Sequence, residues 1–283
     1  MRQAILFIAH KADSNTARSF RKLLRGVGDY ADVFLLLNVP EASQTKTVPR
    51  SLQPLGPIVI GPRERAQLDH PSRTMENEHW AALGDPAPGD PDRGIIAFHR
   101  LFPNYDFYWG VEYDTEFTGH WRDFFASFEK SRSDILCTNC YRYDVNPQWR
   151  WWNNVTPEVP IIERIRGFFP LFRVSNAGIR TLDAHLRDGW EGMYEVTWPT
   201  IITKAGLNLE DVGGDGEFVR PENRNRWYRS NLRAENLSPG TFVYRPARPW
   251  PGAERNKLWH PIKRQYVSFT TQRLYSKLKE LST

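Results

Sequence analysis

Phe107-Tyr-Trp-Gly-Val-Glu-Tyr-Asp-Thr-Glu-Phe-Thr-Gly-His-Trp121 is the stretch on which the reading of this chain turns. Phe107 to Val111 has the aromatic, apolar composition of a central strand, and carboxylates then follow at alternate positions. Side chains alternate along a strand, so Glu112, Asp114 and Glu116 share one side for as long as the extended geometry lasts. Three like charges crowd together cheaply only when water, a proton or a cation intervenes. A strand that turns acidic at its carboxyl end is where an open α/β sheet places its ligand. Hard oxygen donors at such a place suit Mg²⁺ or Mn²⁺. The stretch therefore reads as a metal and diphosphate site, against the plainer reading of a solvated strand end. Thr118-Gly119 is a natural turn, and a helix-like segment, Trp121 to Lys130, follows it.

The elements before this stretch supply a sheet for it to join. Ala4-Ile-Leu-Phe-Ile-Ala9 reads as a buried first strand ending at His10, and Ser14 or Asn15 is placed to cap a helix that ends near Gly26 to Gly28. Asp32 to Asn38 is a second strand and Pro57 to Ile60 a short third. A β-α-β opening of this kind predicts parallel pairing through a right-handed crossover. Residues 61 to 93, rich in proline, glycine and charge, read as a loop with room for one helical turn, in which Asp69, His70 and His79 lack metal-ligand spacing. Later come a strand at Ser133 to Thr138, a run from Phe168 to Ser175 that leads into a helix over Ala177 to Arg187, and a helical pattern from Ile201 to Ala205. An α/β sandwich is the fold class these elements predict.

Composition narrows the rest. The 283 residues make one large domain or two small ones, and 40% hydrophobic content suffices for a buried core. The 38 Lys and Arg are interspersed with 33 Asp and Glu, for a net charge of +5, a mild bias toward phosphate-bearing ligands. No apolar run approaches the roughly 20 residues that cross a bilayer, and the N-terminus lacks the parts of a signal peptide. A soluble cytoplasmic protein is the expectation, compatible with peripheral contact at the inner face of the membrane. Cys137 and Cys140 form one C-x-x-C, half of a four-cysteine zinc site, and read as ordinary thiols at a strand end.

Other segments admit two readings. Trp149-Arg-Trp-Trp152 either stacks on sugar rings or bases, or plugs the core. Arg220, Arg224, Arg226 and Arg229, around Trp227-Tyr228, line an anionic channel or form a solvated face. Asp211 and Asp215, among glycines, are turn residues. The N-x-T pattern at Asn154 carries no meaning without a secretory signal. A Walker loop and a G-x-S-x-G elbow are both missing, which disfavours P-loop kinases and serine hydrolases.

Taken in order, the pieces resemble glycosyltransferases of the GT-A fold. They are a β-α-β half, a strand ending in E-x-D, the late Glu195-Val-Thr-Trp-Pro-Thr200, and Lys257-Leu-Trp-His-Pro-Ile-Lys263 near the end. Within that superfamily, Trp109 to Asp114 with Phe117-Thr-Gly-His-Trp121 is similar to an uncharacterised family common in fungi, over roughly residues 100 to 265. The motif opens on Glu112 where the superfamily has aspartate. The resemblance implies a GT-A-like, Rossmann-like α/β/α sandwich with a mixed, mainly parallel sheet, in a single catalytic domain over residues 1–283. Residues 1–100 would form a nucleotide-binding half, 101–265 a metal and acceptor half, and 266–283 a C-terminal helix.

It further implies a nucleotide-diphosphate sugar donor and a saccharide or other hydroxyl acceptor, hexosyl or similar transfer in polysaccharide biosynthesis, and no nucleic acid partner. Asp114, Glu112 and His260 would be metal ligands for Mn²⁺ or Mg²⁺. His10, Glu112, Asp114 and Lys263 would contact the donor, Lys263 as a point charge on phosphate. An inverting transfer needs a carboxylate to deprotonate the acceptor; Glu195 is the candidate, with Glu191 as its rival at a helical spacing of four. Two other classes stay open: a metal-dependent phosphodiesterase, and a non-catalytic binder of polysaccharide or nucleic acid.

Overall fold

Alternation along the first strand sets the layers. In β1 (Gln3–Ala9) every residue is buried. Ala4, Leu6 and Ile8 belong to one hydrophobic cluster, and Ile5, Phe7 and Ala9 to a second on the opposite face. A strand buried on both sides is what a parallel sheet covered by helices requires. Residues 1–10, 12–39, 48–71, 91–230, 240–242 and 247–264 of the chain are described in this computed structural model.

The helix α1 (Ser14–Val27) returns the chain from β1 to β2 (Asp32–Asn38), parallel to it, and β3 (Ile58–Ile60) adds outside β2. The chain then passes through α2 (Pro62–Ala66) and α3 (Pro91–Leu101) and crosses to the other side of β1 as β4 (Phe107–Glu112), again parallel. Beyond β4 come β5 (Glu116–Phe117), α4 (Trp121–Ala126), β6 (Ile135–Arg142), β7 (Val155–Thr156) and β8 (Ile165–Ser175). The remaining elements are α5 (Asn176–Arg187), β9 (Glu191–Gly192), α6 (Tyr194–Lys204), β10 (Leu209–Asp211) and β11 (Leu258–Trp259). The main sheet has the order β10-β6-β8-β4-β1-β2-β3. All neighbours in it are parallel except β8, which runs against both β4 and β6. The mixed, mainly parallel α/β/α sandwich expected from the sequence is what forms.

Close packing explains the composition of β4. Trp109 is fully buried, packs edge-on against Phe125 at 4.9 Å, and donates from Nε1 to Gln3 Oε1 at 2.8 Å. Gly110 must lack a side chain, because a Cβ there would lie 2.3 Å from Phe172 Cε1 on the neighbouring strand.

Several expectations need correction. The helix cap is Asp13, which accepts from Thr16 N at 2.8 Å, and neither Ser14 nor Asn15 fills that place. Within 61 to 93, α2 supplies the single turn expected, and the start of α3 adds a second helix whose buried Ile95, Ile96 and Phe98 join one core cluster. His79 and the expected C-terminal helix over 266–283 lie outside the described residues. Trp149, Trp151 and Trp152 are 6%, 3% and 2% exposed and belong to the core, so they offer no stacking platform. Asn154 is likewise buried, its side chain accepting from Met193 N at 2.6 Å. No helix among the described residues is long and apolar enough to cross a membrane.

Candidate metal centre

The chain leaves β1 toward β2 on one side and returns to β4 on the other, so the carboxyl ends of β1 and β4 flank the switch point at which an open α/β sheet places its ligand crevice. Tyr113 N still donates to Ile8 O at 2.9 Å, but the chain then turns, with Thr115 N donating to Glu112 O at 2.9 Å. This turn breaks the alternation on which three aligned acids depended. Glu116, on β5, points elsewhere: it takes Lys22 Nζ at 2.8 Å and the Arg264 guanidinium, and these two cations hold its carboxyl below the usual range against the upward push of burial. Glu116 is therefore not part of the acidic group.

A histidine takes its place. β5 pairs antiparallel with β11, and Ile262 N donates to Asp114 O at 2.8 Å. These contacts carry His260 over the end of β4. His260 Nε2 stands 3.4 Å from Asp114 Oδ1 and 3.8 Å from Glu112 Oε2. One donor atom from each of the three side chains lies within 4.8 Å of the others, and among the described residues no second group of three or more potential ligands does so. The His260 ring is flanked by Phe168 at 5.3 Å and Phe242 at 5.7 Å, which restrict its orientation.

The electrostatics fit a missing positive charge. Burial, then the neighbouring Asp114 and Glu195 charges, raise Glu112 well above the usual carboxylate range, with Lys263 opposing. Burial would raise Asp114 as well, but His260 and Lys263 hold it below that range. Asp114 Oδ1 is buried with no hydrogen-bond partner, and a buried acceptor left so is expensive. Two carboxylates and an imidazole with an orphaned oxygen among them are a donor set that fits a divalent cation.

The other expected site residues fall into place unequally. Lys263 Nζ is 3.6 Å from Asp114 Oδ2. His10, exposed at the end of β1, packs edge-on against Tyr113 at 4.9 Å. Glu195, buried in the first turn of α6, lies close enough to Glu112 for its charge to be felt there. Glu191 stands in β9, paired with Thr156 and half-buried. The spacing of four between Glu191 and Glu195 is therefore not a helical spacing, because β9 and the Met193 cap separate them.

A cleft beside the centre is lined by Asp13, Asn15, Ser19, Tyr113, Lys263 and Arg264. Sequence reasoning passed over the α1 contribution. The available signal was position, since the first βα turn of a parallel sheet faces the ligand crevice. The arginine run makes no channel. Arg220 pairs with Glu210 at 3.0 Å and Arg229 with Glu254 at 2.6 Å, Arg224 donates to Asp215 O at 2.9 Å, and Arg226 lies over Trp227. Asp211 is a turn anchor as expected, accepting from Gly213 N and Gly214 N. Cys137 and Cys140 are free and buried, with Sγ atoms 3.0 Å apart.

No family model matches the sequence, and no curated protein does. Solved structures with some likeness include an active-site mutant of LgtC, at 9% identity and TM-score 0.45, covering 88% of this chain and 90% of that one. A glycosyltransferase involved in glycosylating the major capsid of PBCV-1 matches at 9% identity and TM-score 0.33, over 84% of each chain. The inositol-1-phosphate CTP transferase of T. maritima matches at 11% identity and TM-score 0.38, over 75% of this chain and 86% of that one. Likeness at this level does not bear on activity, and the functional reading rests on the site itself.

Proposed function

We propose that this chain is a metal-dependent glycosyltransferase of the GT-A type, moving a sugar from a nucleotide-diphosphate donor to a saccharide or other hydroxyl acceptor. The observation that carries this reading is the Glu112, Asp114 and His260 group at the carboxyl end of β4, on the crevice between β1 and β4. A mixed oxygen and imidazole set favours Mn²⁺ over Mg²⁺, which takes oxygen donors in an octahedron. Bound there, a divalent cation supplies positive charge to the departing diphosphate.

The chain's own residues account for the remaining roles. Lys263, beside Asp114 and on the cleft, offers a point charge to a phosphate oxygen. His10 and Tyr113 present ring faces and edges at the mouth of β1, where a nucleotide would lie. Glu195, whose charge reaches Glu112, would take the acceptor proton. In an inverting transfer the acceptor oxygen bonds to the anomeric carbon as the bond to diphosphate breaks, and the hydroxyl proton passes to the carboxylate. Glu191, in the separate two-stranded β7-β9 sheet, is the weaker candidate. Kinship with the fungal family rests on the Trp109 to Trp121 motif.

No observation favours the rivals. A polysaccharide or nucleic-acid binder drew on tryptophans that are buried and arginines that are engaged within the protein. A two-metal phosphodiesterase would want a second ligand group, and the described residues hold one. A thermal-shift screen of nucleotide diphosphates and their sugars, with and without Mn²⁺, tests the reading, because a ligand that binds only the folded state raises its apparent stability. A metal-dependent shift with one nucleotide supports it; no shift with any of them, in folded protein, overturns it.

A further inference from the structure

We propose that the outer face of α1, together with Trp250 and Arg264 beside it, docks on an anionic lipid bilayer. The helix carries Arg18, Arg21, Lys22 and Arg25 and no acidic residue. Intervals of three and four residues align these cations in one stripe, opposite the buried Ala17, Phe20, Leu23 and Val27. All four are exposed. Lys22 is held by Glu116 at 2.8 Å and Arg21 reaches the Ser51 carbonyl at 3.4 Å. Arg18 and Arg25 pair with no acid among the described residues. A helix face of like charges repels itself and is relieved by an external anion.

Two large apolar side chains are exposed, one on the helix and one connected to it through Arg264 and Glu116. Leu24 is 40% exposed on the helix, and Trp250 is 53% exposed. The Arg264 guanidinium lies over the Trp250 ring at 4.9 Å and also binds Glu116, which holds Lys22. A chain of contacts therefore links Trp250 to α1. Exposed indole and leucine among arginines match the layers of a membrane interface. Trp sits at headgroup depth, Leu reaches the acyl boundary, and Arg meets anionic headgroups. A nucleic acid backbone would use the cations and leave Leu24 in water. The cleft lined by Asp13, Asn15 and Ser19 is built from the amino-terminal end of the same helix, so docking would bring it to the bilayer surface.

Flotation of the full chain with vesicles tests this, using phosphatidylcholine alone and phosphatidylcholine with phosphatidylglycerol, at low and high salt. The chain is expected to float only with anionic vesicles and to be released by salt. The triple variant Arg18→Glu, Arg21→Glu, Arg25→Glu is expected to lose at least about 100-fold in partition coefficient, taking about 1 kcal/mol per basic residue near the surface. Circular dichroism and melting should show that it folds; if it does not, the pair Leu24→Ser and Trp250→Ala serves in its place, with a several-fold loss expected. The proposal is overturned if the native chain ignores anionic vesicles, if the folded variant binds them undiminished, or if duplex DNA captures the chain while vesicles do not.

Discussion

His260 Nε2 stands 3.4 Å from Asp114 Oδ1, although the two residues lie in segments far apart in the sequence. The contact exists because β11 pairs with β5 and Ile262 N bonds to Asp114 O, so a short late strand delivers an imidazole to the end of the central sheet. A carboxylate whose buried oxygen lacks a hydrogen-bond partner then faces a neutral-capable ligand, and the pair is poised for a cation.

Asp114→Asn should therefore abolish the Mn²⁺-dependent thermal shift. Since groups that merely hydrogen-bond to metal ligands are worth about 10–100-fold, loss of a ligand itself should lower metal affinity and transfer by at least about 100-fold. Circular dichroism should show the fold unchanged. Retained Mn²⁺ affinity in that variant would remove the central claim.

Glu195→Gln should keep donor binding and lose transfer. Loss of a positioned general base corresponds to about 10²–10⁴-fold in rate. The check is isothermal titration with the donor beside steady-state transfer. Activity equal to that of the native chain would move the base role to Glu191 or another group.

Asp183 should govern stability in acid. Burial would raise its carboxyl, but His70 at 2.8 Å and Arg100 at 2.8 Å bring it down to about 2. A folded value below the unfolded one means the group stabilises the fold at pH above the unfolded value, by about 2 kcal/mol. That contribution is lost as pH falls from about 4 toward 2. Urea midpoints of the native chain and of Asp183→Asn should differ at pH 6 and draw together only as pH falls through about 2. A constant gap across that range would contradict the assignment.

Gly110→Ala should destabilise the sheet centre by about 1–3 kcal/mol, the usual range for overpacking a tight core. The added Cβ would meet Phe172 Cε1 at 2.3 Å. Urea unfolding measures the loss; combination with Phe172→Leu should recover part of it. An unchanged midpoint in the single variant would show that Phe172 moves aside freely.

Much of the fold was legible because strand composition is local. The runs at Ala4 to Ala9 and Asp32 to Asn38 coincide with β1 and β2 to within a residue. α3 was not legible: Gly94 and the proline-rich approach lower its helical signal, and its helix is secured by burying Ile95, Ile96 and Phe98 against the sheet. The tryptophans at 149 to 152 were ambiguous for the same reason, since an aromatic cluster looks alike whether it meets a ligand or the core.

By itself the sequence determined the parallel sheet, the placement of Glu112 and Asp114 at the end of β4, and the want of any apolar span. These follow from periodicity and composition over a few residues, which short-range sterics and burial convert directly into strands and helices. Only the tertiary structure decided which charges converge. It turned the chain after Glu112, sent Glu116 to Lys22 and Arg264, set Glu191 and Glu195 on different elements, and brought His260 and Lys263 to Asp114. The physical reason is that ligand geometry depends on distances between side chains far apart in sequence, and those distances are fixed by strand pairing and packing that no local pattern encodes.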